Sequence, residues 1–334
     1  MKNQKVLLLG DINIDTIWPV SEFPVPGRDG LVESISLEVG GAVVNSAVVL
    51  DNLRQSAGLI GCIGNDTWGQ QVLSKLSKSS IDQSYIYIHP DNKVNTGITF
   101  IIVTPDGERT MFSQRGANVF LEPCFIDEKA FMNASILHIS GYALLEAPQK
   151  DAAWQAIHFA KIHNAKISLD TGLEPVLQNP QEVRNILPYL SVCITGPQEL
   201  ENIFGCCQDE AIEHLLSFGT QIVAVKLGKS GSLVVSKDEK FYCSSFSINA
   251  VDSTGAGDSF SAGLLFGLNH NLSLQASAIL ASALGALAAT VYGAGFALPD
   301  ELGIQNFLQS ERKNFPASLQ GSLNEILNVI ETNK

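Results

Sequence analysis

Apolar positions along this chain fall into short runs separated by stretches of helical period. Residues 5–9 form one run that stops at Gly10-Asp11, 43–53 has the spacing of a helix, 59–63 is a second run ending at Gly64-Asn65-Asp66, and 67–77 is helical again. The theme recurs with runs at 136–139, 166–169, 192–195 and 222–225, and with helical patterns over 149–163 and from Pro197 onward. Many of the runs show no polar alternation, as expected of parallel strands covered by helices on both faces. The pattern predicts an α/β fold with a doubly wound, mostly parallel central sheet flanked by helices.

One region departs from that theme. Residues 97–104 and 109–113 are β-rich and joined by Pro105-Asp106-Gly107-Glu108, which reads as a hairpin turn, and 31–39 has similar character without a crossover helix. These segments predict a small antiparallel β lid, built from about 12–40 and 95–118 and inserted in a single domain that spans 1–334. So few strands are marginal alone, so the lid is expected to pack over the mouth of the main sheet or against a second copy, as a homodimer.

No charged residue occurs between Asp258 and Asp300, and 276–291 is almost entirely small and apolar. That stretch is shorter than the ~20 residues a bilayer requires, and the turn-like Asn269-His270-Asn271 precedes it. Two buried helices are expected there, without membrane contact. Residues 319–331 read as an amphipathic helix.

Composition narrows the function. With 334 residues and 45% hydrophobic content the chain can bury a large core, and a net charge of -13 without any basic block excludes a phosphate-coating nucleic-acid binder. Six scattered cysteines without a CxxC pair, and no leader-like apolar run, point to reduced thiols and a cytoplasmic location. The six histidines show no metal-ligand spacing.

The candidate chemistry centres on Val251-Asp252-Ser253-Thr254-Gly255-Ala256-Gly257-Asp258-Ser259-Phe260, two acids around a glycine elbow at the start of a helical stretch over 259–268. Unpartnered backbone N–H groups at such a junction can hold an anion, and small side chains let the backbone approach it closely. An acid beside an anion site can take the proton from a hydroxyl that attacks a terminal phosphate; it can equally serve as a plain helix-terminal Asp. Gly228-Lys229-Ser230 is not a Walker loop, because the glycine required five positions earlier is Val223. The dinucleotide pattern fails too, with Phe260 at the third position after Gly257.

The elbow resembles the C-terminal signature of the ribokinase-like (PfkB) carbohydrate kinases. Gly10-Asp11-Ile12-Asn13-Ile14-Asp15 is similar to that family's first sugar-binding turn, Gly40-Gly41-Ala42-Val43-Val44-Asn45 to its double-glycine element, and Gly64-Asn65-Asp66 with Gly69 to the loop after the next strand. Leu227-Gly228 with Gly231 is similar to its nucleotide-phosphate loop, and the order matches from about 5 to 300.

The resemblance implies an ATP-dependent phosphotransferase that uses ATP, Mg2+ and K+. It makes Asp258 the general base, with Gly255, Ala256 and Gly257 as the anion hole. It places Asn13, Asp15, Gly41, Asn45 and Glu146 on a sugar, and Lys226, Gly228, Gly231, Thr254 and Glu199 about the nucleotide. Asp252, with Ala288 and Gly293, would hold the monovalent cation, and Glu199 would reach magnesium through water.

Three departures refine this. The family's N-x-x-E element appears as Gly196-Pro197-Gln198-Glu199, so its amide is missing; a catalytically weak sensing module on the same scaffold is one alternative. Ala42 stands where ribokinases proper carry Lys, which argues against ribose. Arg28, Arg109 and Arg115 are available to an acceptor phosphate, but the 140s lack the basic, proline-containing continuation of sugar-phosphate kinases, so the acceptor is expected to be a non-phosphorylated sugar or sugar acid. A nucleoside kinase is the other alternative, with Trp18 and Phe23 as stacking platforms or as lid core.

Overall fold

The computed structural model describes residues 4–106 and 108–333. Its first strand, β1 (Lys5–Leu9), sends Val6 and Leu8 to one apolar layer and Leu7 and Leu9 to another, all four fully buried. A strand apolar on both sides needs helices on both faces. Those layers are supplied by α1 (Ala42–Asn52), α2 (Thr67–Leu76), α3 (Gln149–Ile162), α4 (Leu173–Gln178), α5 (Pro180–Ile186), α6 (Pro197–Phe204), α7 (Gln208–Ser217), α8 (Ala256–Asn269), α9 (Leu274–Ala288), α10 (Glu301–Glu311) and α11 (Gln320–Thr332). Residues of α3 to α7 pack on one face and those of α1, α2 and α8 to α11 on the other.

The remaining strands are β2 (Asn13–Pro19), β3 (Ser36–Gly40), β4 (Ala57–Gly64), β5 (Asp82–His89), β6 (Gly97–Val103), β7 (Arg109–Gln114), β8 (Ala134–Ser140), β9 (Lys166–Asp170), β10 (Val192–Thr195), β11 (Ile222–Lys226), β12 (Ser232–Ser236) and β13 (Lys240–Cys243). Nine form the main sheet in the order β13-β12-β11-β10-β9-β8-β1-β4-β5, parallel except where β12 meets β11 and β13. β1 lies between β8 and β4, so the chain winds outward in both directions from it, and the crevice at the carboxyl ends of β1 and β8 is the topological switch point.

The second sheet has the order β3-β2-β6-β7. Its β2–β3 and β6–β7 pairs are antiparallel, as the lid reading anticipates, while β2 and β6 run parallel. The hydrophobic pattern did not reveal β2, nor β5, β12 and β13 of the main sheet, and 31–35 forms no strand. Gly107, within the predicted hairpin turn, lies outside the described residues. Alternation sends Asn13 and Asp15 to one face of this sheet and Ile14, Thr16 and Trp18 to the other.

The uncharged stretch forms α8 and α9, packed with unusual closeness: a Cβ on Gly263 would lie 2.8 Å from the Ala281 Cα, and one on Gly267 2.5 Å from Ser277 Oγ. Among the described residues no helix is long and apolar enough to cross a membrane.

Candidate active site

The switch point and the second sheet converge on the double glycine. Asp15 on β2 is 4% exposed, and a Cβ on Gly40 would stand 1.9 Å from its Oδ2, so Gly40 is glycine to leave that carboxylate room. Gly41 is glycine for a different reason: its φ is 98°, and a Cβ there would meet the Asp11 carbonyl at 2.3 Å. From this position Gly41 caps α1 and bonds the Asp15 carboxyl through its backbone.

One turn into α1, Asn45 joins three elements. Its Nδ2 donates to Asp258 Oδ2 at 2.7 Å, and its Oδ1 accepts from the Gly295 N–H at 2.8 Å. Ser46 Oγ donates to the Asp258 carbonyl at 2.9 Å. Asp258 lies in the first turn of α8, whose N-cap Gly255 is left-handed at φ 74° and provides no side chain to occupy the helix N-terminus. In the turn over Gly255, Ala256 and Gly257 the Ala256 N–H donates to the Ser253 carbonyl at 3.2 Å, which leaves the glycine N–H groups and the positive end of the helix dipole suited to an anion.

Burial dominates the electrostatics of both acids. It pushes Asp258 up to about 6, against the lowering hydrogen bond from Asn45; Asp170 raises it further, and Lys226 and Arg109 lower it. Asp15 goes to about 7, again through burial, with bonds from Gly41 and Thr99 pulling down and the charge of Asp258 pushing up. A buried and a partly buried carboxyl, within electrostatic range of each other and both raised toward neutral pH, suit proton transfer at ordinary pH.

On the far side, Lys226 at the end of β11 donates to both oxygens of Asp170, at 2.8 and 2.7 Å, and Ser261 donates to the same carboxylate at 2.8 Å. Its Nζ would be 3.5 Å from a Cβ on Gly257, which sets this cation against the anion turn. Lys226, Gly196, Glu199 and Gly228 line an open cavity of about 490 Å³. Gly228 and Gly231 shape the turn into β12 with φ of 57° and 100°; Gly231 is pressed against the Cys243 carbonyl. The Glu199 carboxylate leans back on Gly196, where a Cβ would lie 2.3 Å from Oε2, so it occupies space that a side chain there would need. One such carboxylate fits a magnesium ion that keeps most of its waters and binds phosphates.

Asp252 is fully buried. Its Oδ1 accepts from Thr254 N at 2.9 Å and Thr254 Oγ1 at 2.6 Å, and its Oδ2 from the Gly293 N–H at 2.9 Å. No ion pair among the described residues includes it. Ala288 ends α9 nearby, where the helix dipole is negative, and the Ala289 carbonyl accepts from Val251 and Asp252. A buried carboxylate beside a helix C-terminus, without a basic partner, fits a monovalent cation.

Glu146 is placed differently from the sugar turn itself. It is half-exposed and pairs with Arg115 Nη1 at 3.1 Å, while Arg115 grips Asp11 through Nε at 2.8 Å and Nη2 at 2.9 Å. Gln149 bonds both Arg115 and Asp11. Asn118, fully buried, donates to Asn13 Oδ1 and to the Arg115 carbonyl, both at 2.8 Å. Asp170, Asn118 and Gln149 escaped the sequence reading; an acid closing an apolar strand was the available signal for Asp170. Trp18 stands on the face of the second sheet opposite Asp15, its ring tilted against Phe100 with centroids 6.3 Å apart, which favours its reading as lid core over that of a stacking platform.

A doubly wound sheet with a glycine-turn helix N-terminus, a buried acid and a covering second sheet defines a ribokinase-like α/β kinase. The chain belongs to the pfkB family of carbohydrate kinases, whose family model matches residues 3–301. It is similar to 5-dehydro-2-deoxygluconokinase of Bacillus subtilis, with 25% identity over 288 residues, 83% of this chain and 89% of the relative. A ribokinase II from E. coli, solved with ATP and Mg2+, superposes with a TM-score of 0.80 at 25% identity, over 92% of this chain and 99% of that one. A fructokinase double mutant from Vibrio cholerae, solved with fructose, ADP and potassium, gives 0.75 at 26% identity, over 91% and 98%.

Proposed function

We propose that this sugar kinase transfers the terminal phosphoryl group of ATP to a hydroxyl of a small non-phosphorylated sugar or sugar acid, with Asp258 as general base. The observation that carries the reading is the partly buried Asp258 carboxyl, oriented by Asn45 and raised to about 6, at the mouth of the uncapped Gly255 turn. Asp258 takes the acceptor proton as that oxygen bonds to the γ-phosphorus; the bond to the bridging oxygen breaks and ADP leaves. Backbone N–H groups of Gly255, Ala256 and Gly257 stabilise the charge on the group in transfer.

Asn13, Asp15, Gly41 and Asn45 would hold the sugar hydroxyls, since amide and carboxyl groups pair with adjacent hydroxyls. Lys226, Gly228, Gly231 and Thr254 would lie about the nucleotide. Glu199 would hold magnesium through water, where the ion would neutralise phosphate charge, and Asp252, Ala288 and Gly293 would hold a potassium ion that balances the buried acid. Leu37, Phe100 and Phe112 share the outer face of the second sheet and are each more than 40% exposed, which supports a homodimer through the lid. A monomer at micromolar concentration in sedimentation would refute that part.

The test is ADP release from ATP and magnesium across pentoses, hexoses, sugar acids, polyols and nucleosides. Turnover with sugars or their acids supports the proposal, and turnover with nucleosides alone favours the nucleoside-kinase alternative. Silence in protein that binds ATP favours the sensing module, whose one supporting observation is the Glu199 carboxylate folded onto Gly196.

A further inference from the structure

Arg115 is joined to the acceptor floor by a single side chain, since Asn118 bonds both the Asn13 amide and the Arg115 carbonyl. The Arg115 side chain is 15% exposed and its guanidinium is heavily committed: Asp11 takes the Nε–Nη2 edge with both carboxylate oxygens, and the Tyr142 carbonyl and Gln149 also accept from Nη2. Nη1 faces Glu146, whose side chain is 56% exposed. The two carboxylates more than neutralise the one cation.

Among the described residues, neither Asp11 nor Glu146 has an ion pair with a second cation. The Tyr142 ring beside the cluster lies within electrostatic range of Glu174, Asp11, Asp258 and Arg109, mostly acids. Arg109, the other guanidinium facing the site, reaches the opposite wall, where its Nη1 donates to Ser253 O at 2.5 Å and Ser253 Oγ at 2.8 Å, next to the phosphoryl-binding turn. An anionic acceptor would therefore meet a net negative wall at the Asn13 end, and like charges without compensation exclude a ligand as effectively as a clash.

We propose that Glu146 is a specificity residue acting through Arg115: by covering Nη1 it withholds the guanidinium from carboxylates and phosphates, so the acceptor is a neutral polyhydroxylated sugar rather than a sugar acid. This rests on the sugar-kinase reading above and selects between the two acceptor classes left open there. Glu146 is suited to the part because it is the exposed, singly bonded member of the cluster, while Asp11 is the buried anchor that keeps Arg115 in place.

Titration calorimetry of the full chain with matched pairs, D-glucose and D-gluconate, D-galactose and D-galactonate, D-ribose and D-ribonate, tests it without turnover. The wild type should bind the neutral member of at least one pair about tenfold or more tightly than its acid, the scale of one hydrogen bond to a charged group. Glu146→Gln should gain affinity for that acid by about the same factor, and Glu146→Asp should not. Tighter wild-type binding of an acid, or no gain in Glu146→Gln with an unchanged circular dichroism spectrum, overturns the assignment. Binding of adenosine with no sugar or sugar acid bound overturns the sugar-kinase reading itself, and this inference with it.

Discussion

Asn45 and Asp258 lie 213 residues apart in the chain and are joined by a 2.7 Å hydrogen bond from amide to carboxylate. The bond ties the helix after the double glycine to the helix after the elbow. With the other end of the same amide on Gly295, α1, Asp258 and the loop at Gly295 share one anchor.

Replacing Asp258 by Asn keeps the shape and removes the base. Turnover should fall by ~10²- to 10⁴-fold with sugar affinity changed by no more than a few-fold. Lost binding with preserved turnover per bound sugar would reject the role. In the wild type the carboxyl must be ionised to accept a proton, so kcat/KM should decline as pH falls through about 6.

Asp15 gives a stability signature of opposite use. Its folded value of about 7 lies above the ordinary 3.8, so between those pH values the folded chain holds a proton that the unfolded chain has released. Its stabilising contribution is complete below the unfolded value and drains away as pH rises through the folded one. Asp15→Asn cannot ionise, so its Tm should gain on the wild type as pH rises from about 4 to about 8, while acceptor affinity drops. A Tm difference flat across that range would contradict the burial-driven shift.

Asp252 predicts a cation dependence readable without substrate. Potassium at a hundred times its dissociation constant should stabilise the wild type by about 2.7 kcal/mol over a tetramethylammonium control. Asp252→Asn should erase that difference. Equal melting of wild type in both salts would remove the cation from the proposal.

Gly263→Ala tests the helix pair behind the site. Helix propensity favours Ala by about 1 kcal/mol, but the new Cβ would meet the Ala281 backbone at 2.8 Å. Overpacking against a main chain that cannot rotate away costs about 1–3 kcal/mol. Urea unfolding should therefore show a net loss; a gain would mean that α8 and α9 separate freely.

The parallel scaffold was readable because β1, β4 and β10 are nearly unbroken apolar runs, and helix and strand periods differ sharply. β2 was hidden because polar residues are buried on both of its faces, Asp15 on one and Thr16 on the other, so its alternation does not mark inside from outside. The stretch 31–35 looked like a strand by composition, yet no neighbouring strand pairs with it. Likewise the elbow and the double glycine declare themselves locally. Asn118 and Asp170 act on groups 106 and 56 residues away, and no local period carries such information.

The alternation of β2 has a consequence for how this lineage can diverge. Residues added within 20–35 lengthen an exposed connection and leave the strand pairing intact. One residue inserted just after Asn13 would instead exchange the two faces of the strand that follows, turning Ile14 and Thr16 to the face that Asp15 holds and Asp15 to the opposite one. Change in the loop is graded, whereas change in the strand is an inversion, so new acceptor preferences should arise by substitution within β2 and by insertion beside it.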